Sequence, residues 1–320
     1  MRRIEKAVLT VTILALAMMA VAPSQVAAQE PLRWKFEKGE KLDYNMVQDM
    51  TIGSKGGPQG DQNVTMHQEL DMTWDVQDVN AEGDAVIHQK IDRVKMKMTL
   101  PPPTGAIEYD TSSEAEPVGP AAMFAPLYKA MTKGAFEITM TSRGEIKDVK
   151  IPDEVATAIK NSPGMAAMGE MATADGFKKM ISQGSLVLPQ EAPEPGHEWS
   201  TKIEVNNPMA GKQIVETTYT YKDTKEVDGV TYAVFEPSIE MSFEGAPLKI
   251  TEQTSNGEIL FNVPEGRLAS SNLAQQVTID QPGGGQMKID QNVEVKVKPA
   301  DETESEARST ESEEPAETKN

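Results

Sequence analysis

The sequence predicts a mainly β protein in which long, twisted antiparallel strands form a barrel, a half-barrel or two facing sheets. Apolar and polar residues alternate over most of the interior of the chain, and glycine-containing turn sequences separate the alternating runs. Helical periodicity is confined to the middle of the chain, which predicts two or three short helices inserted between strands. The chain has 320 residues, enough for one such domain and for segments outside it.

The first 28 residues have the features of a secretory signal peptide. Basic residues precede an apolar run over 7–22, and Val26-Ala27-Ala28 supplies the small residues that signal peptidase needs. We expect cleavage after Ala28, export to the periplasm or the extracellular space, and no integral membrane segment in the cleaved chain. The alternative is a retained anchor, which needs a span of about 17 residues.

The other end of the chain, residues 299–320, consists largely of Glu, Ser, Thr, Ala and Pro. Such a segment cannot bury enough apolar surface to offset its chain entropy, so we expect a disordered acidic tail. Roughly a third of the formal charge of −19 lies on this tail, and the rest lies mainly on a β domain over residues 29–298.

The composition excludes several classes of protein. The chain has no cysteine, which rules out disulfides, thiolate zinc sites and a cysteine nucleophile. With 50 acidic and 31 basic residues it is poorly suited to nucleic acid, because binding depends on Lys and Arg at phosphates. We therefore expect no nucleic-acid partner and no cofactor.

Alternating runs predict the strands, in chain order, at 42–52, 64–76, 85–91, 94–100, 136–140, 214–221, 232–243, 248–254, 273–279 and 293–298. Glycine-containing sequences predict the turns that separate many of the strands, because they suit tight hairpin connections. These sequences are Glu82-Gly83-Asp84, Arg143-Gly144, Asp228-Gly229, Asn256-Gly257, Glu265-Gly266 and Pro282-Gly283.

A helical insert is expected at about 121–182. One helix is predicted over 121–133, interrupted by Pro126, and another over 155–161, where Pro152 and two acids precede the first turn. A third helical face lies within 164–182. Helices in the middle of an antiparallel chain usually cap a sheet or plug a curved one.

The two halves of the chain resemble each other weakly. The hairpin over 72–98, which turns at Gly83, resembles the hairpin over 217–243, which turns at Gly229. A true internal repeat would place two similar sheets or half-barrels face to face. The alternative is chance similarity between turn sequences that are common in β proteins.

Three segments resemble an uncharacterised family of exported bacterial proteins, a domain of unknown function frequent in planctomycete-type genomes. The segments are the strand and turn over 32–40 (LRWKFEKGE), the segment over 188–199 (LPQEAPEPGHEW) and the strand entry over 264–268 (PEGRL). The resemblance extends over most of residues 30–298. His197 stands where the family usually has Asp. The resemblance implies an exported β-rich protein and brings no activity with it.

Several sequence patterns could hold a metal ion, but each has a simpler interpretation. Met165, Met168 and Met171 could offer thioethers to Cu(I), yet methionine also fills irregular cores. Residues 78–84 resemble half of a calcium loop, but Gln89 replaces the bidentate Glu at position 12, which favours a hairpin turn.

Histidine positions give no zinc signature either. His67, His88 and His197 lack the spacing of zinc ligands, although His67 and His88 could lie on adjacent strands.

No sequence motif points to an enzyme, since nucleophile-elbow, P-loop and dinucleotide-binding patterns are absent. We expect a binding module whose curved sheet holds a hydrophobic or lipid-like ligand, with the helices over 165–181 as a lid. The alternative is a structural or interaction protein of the cell envelope without a small ligand. Candidate pocket residues are Met46, Met66, Met72, Met96, Met98, Met168, Met180 and Met241.

Overall fold

The structure is a computed structural model that describes residues 30–56, 60–161, 173–207, 211–245 and 247–298. Its strands are β1 (Lys41–Lys55), β2 (Gln62–Val79), β3 (Ala85–Leu100), β4 (Gly105–Asp110), β5 (Ala135–Met140), β6 (Ile146–Lys150), β7 (Glu198–Asn207), β8 (Gly211–Val227), β9 (Val230–Glu244), β10 (Lys249–Asn262), β11 (Arg267–Asp280) and β12 (Gln286–Val297). Its helices are α1 (Ala121–Met131), α2 (Asp153–Asn161) and α3 (Ala174–Gly184).

All twelve strands belong to one antiparallel sheet. The order from edge to edge is β6-β5-β3-β2-β1-β12-β11-β10-β9-β8-β7, and β4 pairs with β3 beside this path. The first and last long strands, β1 and β12, pair at the centre along almost their whole length. The mainly β prediction is confirmed, and the described residues form a single open sheet rather than a closed one or two separate sheets.

Three of the expected segments lie outside the described residues: the signal peptide, the acidic tail and the methionines of 165–171. No helix in the part of the chain that the structure describes has the length and apolar composition needed to span a membrane.

The sheet is strongly curved at one end, which we call the closed end. The Trp34 N–H donates to the Ser142 carbonyl and the Lys35 N–H donates to the Gly266 carbonyl, both at 2.8 Å. In a flat sheet the turns that hold these carbonyls would be at least five strand spacings apart, the distance from β5 to β11, or about 24 Å. Here only one extended segment separates them, so the sheet bends around residues 31–38.

The segment 185–188 closes the gap between the two edges of the sheet at this end. The Leu188 N–H donates to the Arg143 carbonyl beside β6, at 2.7 Å. On the other side, the Trp199 indole N–H of β7 donates to the Val187 carbonyl at 2.7 Å. Helix α3 contacts both β6 and β7. The mid-chain segment therefore plugs the closed end, which is one of the two arrangements, cap or plug, expected of helices in the middle of the chain.

Aromatic side chains fill the closed end. Trp34 stacks on Phe36 with ring centroids 6.0 Å apart and meets Phe261 edge-on at 5.4 Å. Trp199 meets Phe235 edge-on at 5.6 Å. These large rings bury much apolar surface, so they anchor the main core and fix the curvature of the sheet.

One seam interrupts the sheet, between β9 and β10. The two strands are paired only where 232–235 meets 259–262, although they are the two arms of one hairpin. Beyond that point the Ser255 hydroxyl accepts the Ile239 N–H at 2.7 Å, in place of a backbone carbonyl. Since the Ile239 N–H faces β10, so does the nitrogen of Pro237, which carries no hydrogen. Pro237 therefore removes a rung of the ladder and opens the seam.

The turn predicted at Asn256-Gly257 is wrong, because both residues lie inside β10. A Cβ atom on Gly257 would overlap the Asn272 carbonyl oxygen and lie 3.0 Å from the Pro237 ring. The glycine is required by close packing across the seam and not by a turn. The other predicted turns are confirmed, and Gly83, Gly144, Gly229, Gly266 and Gly283 in them have positive φ.

The calcium-like segment is a hairpin turn between β2 and β3. The Asn80 side-chain oxygen accepts the N–H groups of Glu82 and Asp84, which closes the turn. Asp84 is bound instead by Lys147, whose Nζ lies 2.6 Å from Oδ2. The Asn80 amide thus builds the turn, and the Asp84 carboxylate pairs with a lysine.

Candidate functional site

The candidate site is the face of the sheet that packs against Trp34 at the closed end, which we call the inner face. Because successive side chains of a strand alternate between faces, the cross-strand register identifies the residues on it. Beyond the closed end, the inner-face residues of the four central strands are all uncharged. They are Met46, Gln48, Met50, Ile52 and Ser54 of β1, Gln62, Val64, Met66 and Gln68 of β2, Leu273, Gln275, Val277 and Ile279 of β11, and Met287, Ile289, Gln291 and Val293 of β12.

The inner face is only partly covered in this region. Met50, Ile52, Val64 and Ile289 are neither fully buried nor fully exposed. On β11, by contrast, Val277 and Ile279 are 2% and 1% exposed. The accessible apolar surface therefore lies on β12, β1 and β2. An apolar surface of this kind on a folded domain is typical of a contact site.

Three of the methionines predicted as pocket residues meet at one side of this surface. Met96 is buried with Tyr109 and Ala125, and Met66 and Met98 pack against them. Tyr109 stacks on Tyr128 of α1 with centroids 5.8 Å apart. Helix α1 thus covers the inner face of β3 and β4 and borders the open surface.

The remaining predicted pocket residues are more scattered. Met46 and Met72 pack against the main core. Met241 lies on β9, where its sulfur accepts the Gln213 side-chain N–H at 2.9 Å. Met180 of α3 is 51% exposed. Met168 lies outside the described residues.

A track of uncharged polar groups, which was not predicted from the sequence, crosses the inner face. Gln68 lies opposite Gln48, and Gln291 lies opposite Gln275. Ser255 of β10 lies opposite Gln275. Gln48 and Gln291 are diagonal neighbours on β1 and β12, within reach of long side chains. The four glutamine side chains therefore form one continuous diagonal track with apolar residues on both sides, and Ser255, whose hydroxyl is bonded to Ile239 across the seam, lies at its end.

The side-chain amides of this track are available for a ligand. Within the described residues, none of the four glutamine amides takes part in a hydrogen bond. The buried side-chain polar atoms without a partner belong to Tyr44, Trp74 and Arg267, so the amides are not sealed in the core. An amide presents both donors and acceptors, and hence can bind neutral polar groups.

The opposite, outer face carries the charged residues and pairs them across strands. The Arg93 guanidinium contacts the Asp110 carboxylate through two hydrogen bonds of 3.1 and 2.6 Å. This hydrogen bonding holds the pKa of Asp110 far below its usual range. Lys97 pairs with Glu108 at 2.7 Å on the same strands. The two faces therefore differ sharply in charge.

His67 lies on the outer face between two carboxylates. Its Nδ1 is 2.7 Å from the Asp49 carboxylate and its Nε2 is 3.1 Å from that of Glu69. Hydrogen bonds to Asp49 and then to Glu69 raise the pKa of His67. His67 and His88 do lie on adjacent strands, β2 and β3, but at different levels of the register.

A polar groove of about 400 Å³ crosses the outer face over β1, β12, β11 and β10. Its lining includes Asp49, Thr51, Gln276, Asp290 and Asn292. A second groove shares Thr254 and Gln276 with it. Across the described ranges, no three His, Asp or Glu side chains come together as metal ligands.

Comparison with known proteins gives a family but no activity. Residues 82–266, more than half of the chain, match the model of a family of unknown function, DUF6263. No curated protein matches the chain.

Several solved structures are similar at low identity. Lipovitellin, in a structure of its lipid–protein interactions, is 14% identical with a TM-score of 0.46 over 83% of this chain and 26% of that chain. This chain therefore spans about a quarter of the lipovitellin chain. DynF from the dynemicin biosynthesis pathway of Micromonospora chersina is 7% identical, with a TM-score of 0.21 over 86% and 89% of the two chains. An outer membrane channel from Pseudomonas putida F1 is 8% identical, with a TM-score of 0.28 over 83% and 97%.

Proposed function

This chain belongs to DUF6263, a family of unknown function, and we propose that it is a non-enzymatic exported protein that binds a hydrophobic, lipid-like ligand. The ligand lies on the inner face of the sheet, over β12, β1 and β2. The observation that carries the proposal is the lack of charge on a face that is only partly covered.

The lack of charge needs an explanation because the chain is rich in charged residues, with 31 basic and 50 acidic side chains. In an antiparallel sheet with one face on the core, the face that meets water is normally polar. Here the outer face has that role, and the inner face stays uncharged beyond the part that the core covers. Contact with an apolar ligand explains both properties.

The side chains on this surface suit a flexible ligand. Met50 of β1 and Met66 of β2 lie directly opposite each other, and Met66 lies opposite Met98 of β3. Methionine is unbranched and polarizable, so a row of such residues adapts to alkyl chains of different shape. The curvature fixed at the closed end makes the inner face concave, which increases the area that a ligand can bury.

The proposal can be tested with two substitutions at adjacent positions. Met50→Lys places a charge on the inner face, whereas Thr51→Lys places the same charge on the outer face of the same strand. Binding of the neutral apolar fluorophore N-phenyl-1-naphthylamine is measured by fluorescence titration, and the fold of each variant is checked by circular dichroism. Burying an unpaired charge is costly, so Met50→Lys should weaken binding at least about tenfold and Thr51→Lys should not.

Two results would contradict the proposal. One is that the wild-type protein does not bind the fluorophore, and the other is that folded Met50→Lys binds it as tightly as the wild type does.

A second candidate function is an interaction protein of the cell envelope, which the polar groove on the outer face favours. Carboxylates and amides in such a groove could contact a cationic or neutral polar partner. This alternative predicts that Thr51→Lys, in the lining of the groove, weakens binding of the partner. It also predicts that no apolar probe binds.

A further inference from the structure

We infer that the ligand is an amphiphile with an uncharged head group, such as an ester, hydroxyl or amide, held on the diagonal track of Gln68, Gln48, Gln291 and Gln275. This inference rests on the proposed function and specifies the chemistry of its ligand.

The position of the track gives the first argument. It runs obliquely across β2, β1, β12 and β11. Met50 and Ile52 lie on one side of it, and Val293 and Leu273 lie on the other. Polar groups that served only to face water would not be enclosed by apolar residues on both sides. A ligand with a polar group between or beside alkyl chains matches this arrangement.

The chemistry of the track gives the second argument. Each glutamine amide has donors and acceptors but no charge, and none is used within the described residues. A neutral head group can exchange its hydrogen bonds with water for hydrogen bonds with these amides. A carboxylate or phosphate would lose its hydration on a face with no cation to replace it, which is unfavourable.

The charge of the whole chain gives the third argument. The formal charge of −19 produces a negative potential that repels anionic lipids and does not act on neutral ones. The net charge of the molecule and the chemistry of the site therefore both favour a neutral ligand, for independent reasons.

The test is competition against bound N-phenyl-1-naphthylamine, with monoolein and oleate as competitors of the same alkyl chain, both below their aggregation concentrations. For the wild-type protein we expect monoolein to compete at least about tenfold better than oleate. The double variant Gln275→Leu, Gln291→Leu keeps the apolar volume and removes two amides. Its affinity for the fluorophore is measured directly as the reference, and its affinity for monoolein should fall about tenfold, corresponding to two hydrogen bonds.

Gln276→Leu is the matched control, since Gln276 follows Gln275 on β11 but faces outward and contacts Asp290. It should leave competition by monoolein unchanged. If the fluorophore binds but monoolein and oleate compete equally, or if the double variant keeps its affinity for monoolein, the head-group inference is wrong and the proposed function stands. If the fluorophore does not bind the wild-type protein, the proposed function itself fails.

Discussion

Pro237 of β9 lies opposite Gly257 of β10, at the point where hydrogen bonding between the two arms of their hairpin stops. The proline has no N–H to donate, and the glycine leaves room for its ring. The side chains of Ser255 and Gln253 then take over, accepting the N–H groups of Ile239 and Met241 at 2.7 and 2.9 Å. A seam in the sheet thus follows from one pair of residues.

Substitution of Gly257 tests this packing. Gly257→Ala should destabilise the protein by about 2 kcal/mol, because its methyl group would overlap the Asn272 carbonyl oxygen and crowd Pro237. The control is Gly53→Ala in β1, where a Cβ atom meets nothing within 4 Å. That change should be neutral or stabilise by up to about 0.5 kcal/mol. Urea unfolding measures both, and equal effects of the two substitutions would refute the account of the seam.

Two buried tyrosines give a second prediction. Tyr44 is 2% exposed and its hydroxyl has no partner among the described residues. Tyr219 is 4% exposed and its hydroxyl donates to the Ser185 carbonyl at 3.2 Å, while burial raises its pKa to about 12. Tyr219→Phe should therefore cost about 1 kcal/mol of unfolding free energy, and Tyr44→Phe should cost nothing or stabilise. Thermal unfolding of both variants checks this, and a larger loss for Tyr44→Phe would show that its hydroxyl is bonded.

His67 gives a prediction about pH. Its pKa is raised in the folded protein, first by the hydrogen bond to Asp49, so the protonated form is favoured by folding. Its contribution to stability is complete below the pKa of an unfolded histidine, near 6.5, and is lost as the pH rises through the higher folded pKa. The stability difference between wild type and His67→Gln should therefore be larger at pH 6 than at pH 8.5.

Asp49→Asn controls for the origin of this effect. In a protein that carries Asp49→Asn, the loss of stability caused by His67→Gln should therefore differ less between pH 6 and pH 8.5. Chemical denaturation of the four proteins at both pH values supplies the comparison, and a pH dependence that is unchanged by Asp49→Asn would assign the effect to other groups.

Local features of the fold could be predicted from the sequence. The alternation of apolar and polar residues gave β1, β2, β8, β9, β11 and β12, and glycine gave most of the turns, since both signals act within a few residues. The strands β4, β6 and β7 were not predicted. The first two have only six and five residues and carry little periodicity, although β5, also of six residues, was predicted at 136–140. The predicted strands 85–91 and 94–100 are one strand, β3, with an irregular register near Ile91.

Features that depend on distant pairing could not be predicted. Asn256-Gly257 has the sequence of a turn, and only its position opposite Pro237 explains the glycine. Methionines could be predicted as pocket residues from their residue type alone. The glutamines could not, because Gln48 and Gln291 become neighbours only through the pairing of β1 with β12. No local pattern specifies that pairing, which joins the two ends of the domain.

The central claim, that the uncharged inner face holds a neutral amphiphile, is tested most directly by native mass spectrometry of the protein purified without detergent from the organism that makes it. We predict a complex heavier than the polypeptide, which on activation releases an uncharged molecule that carries a long alkyl chain. A spectrum of the bare polypeptide alone, from protein whose solvent extract contains no such molecule, would contradict the claim.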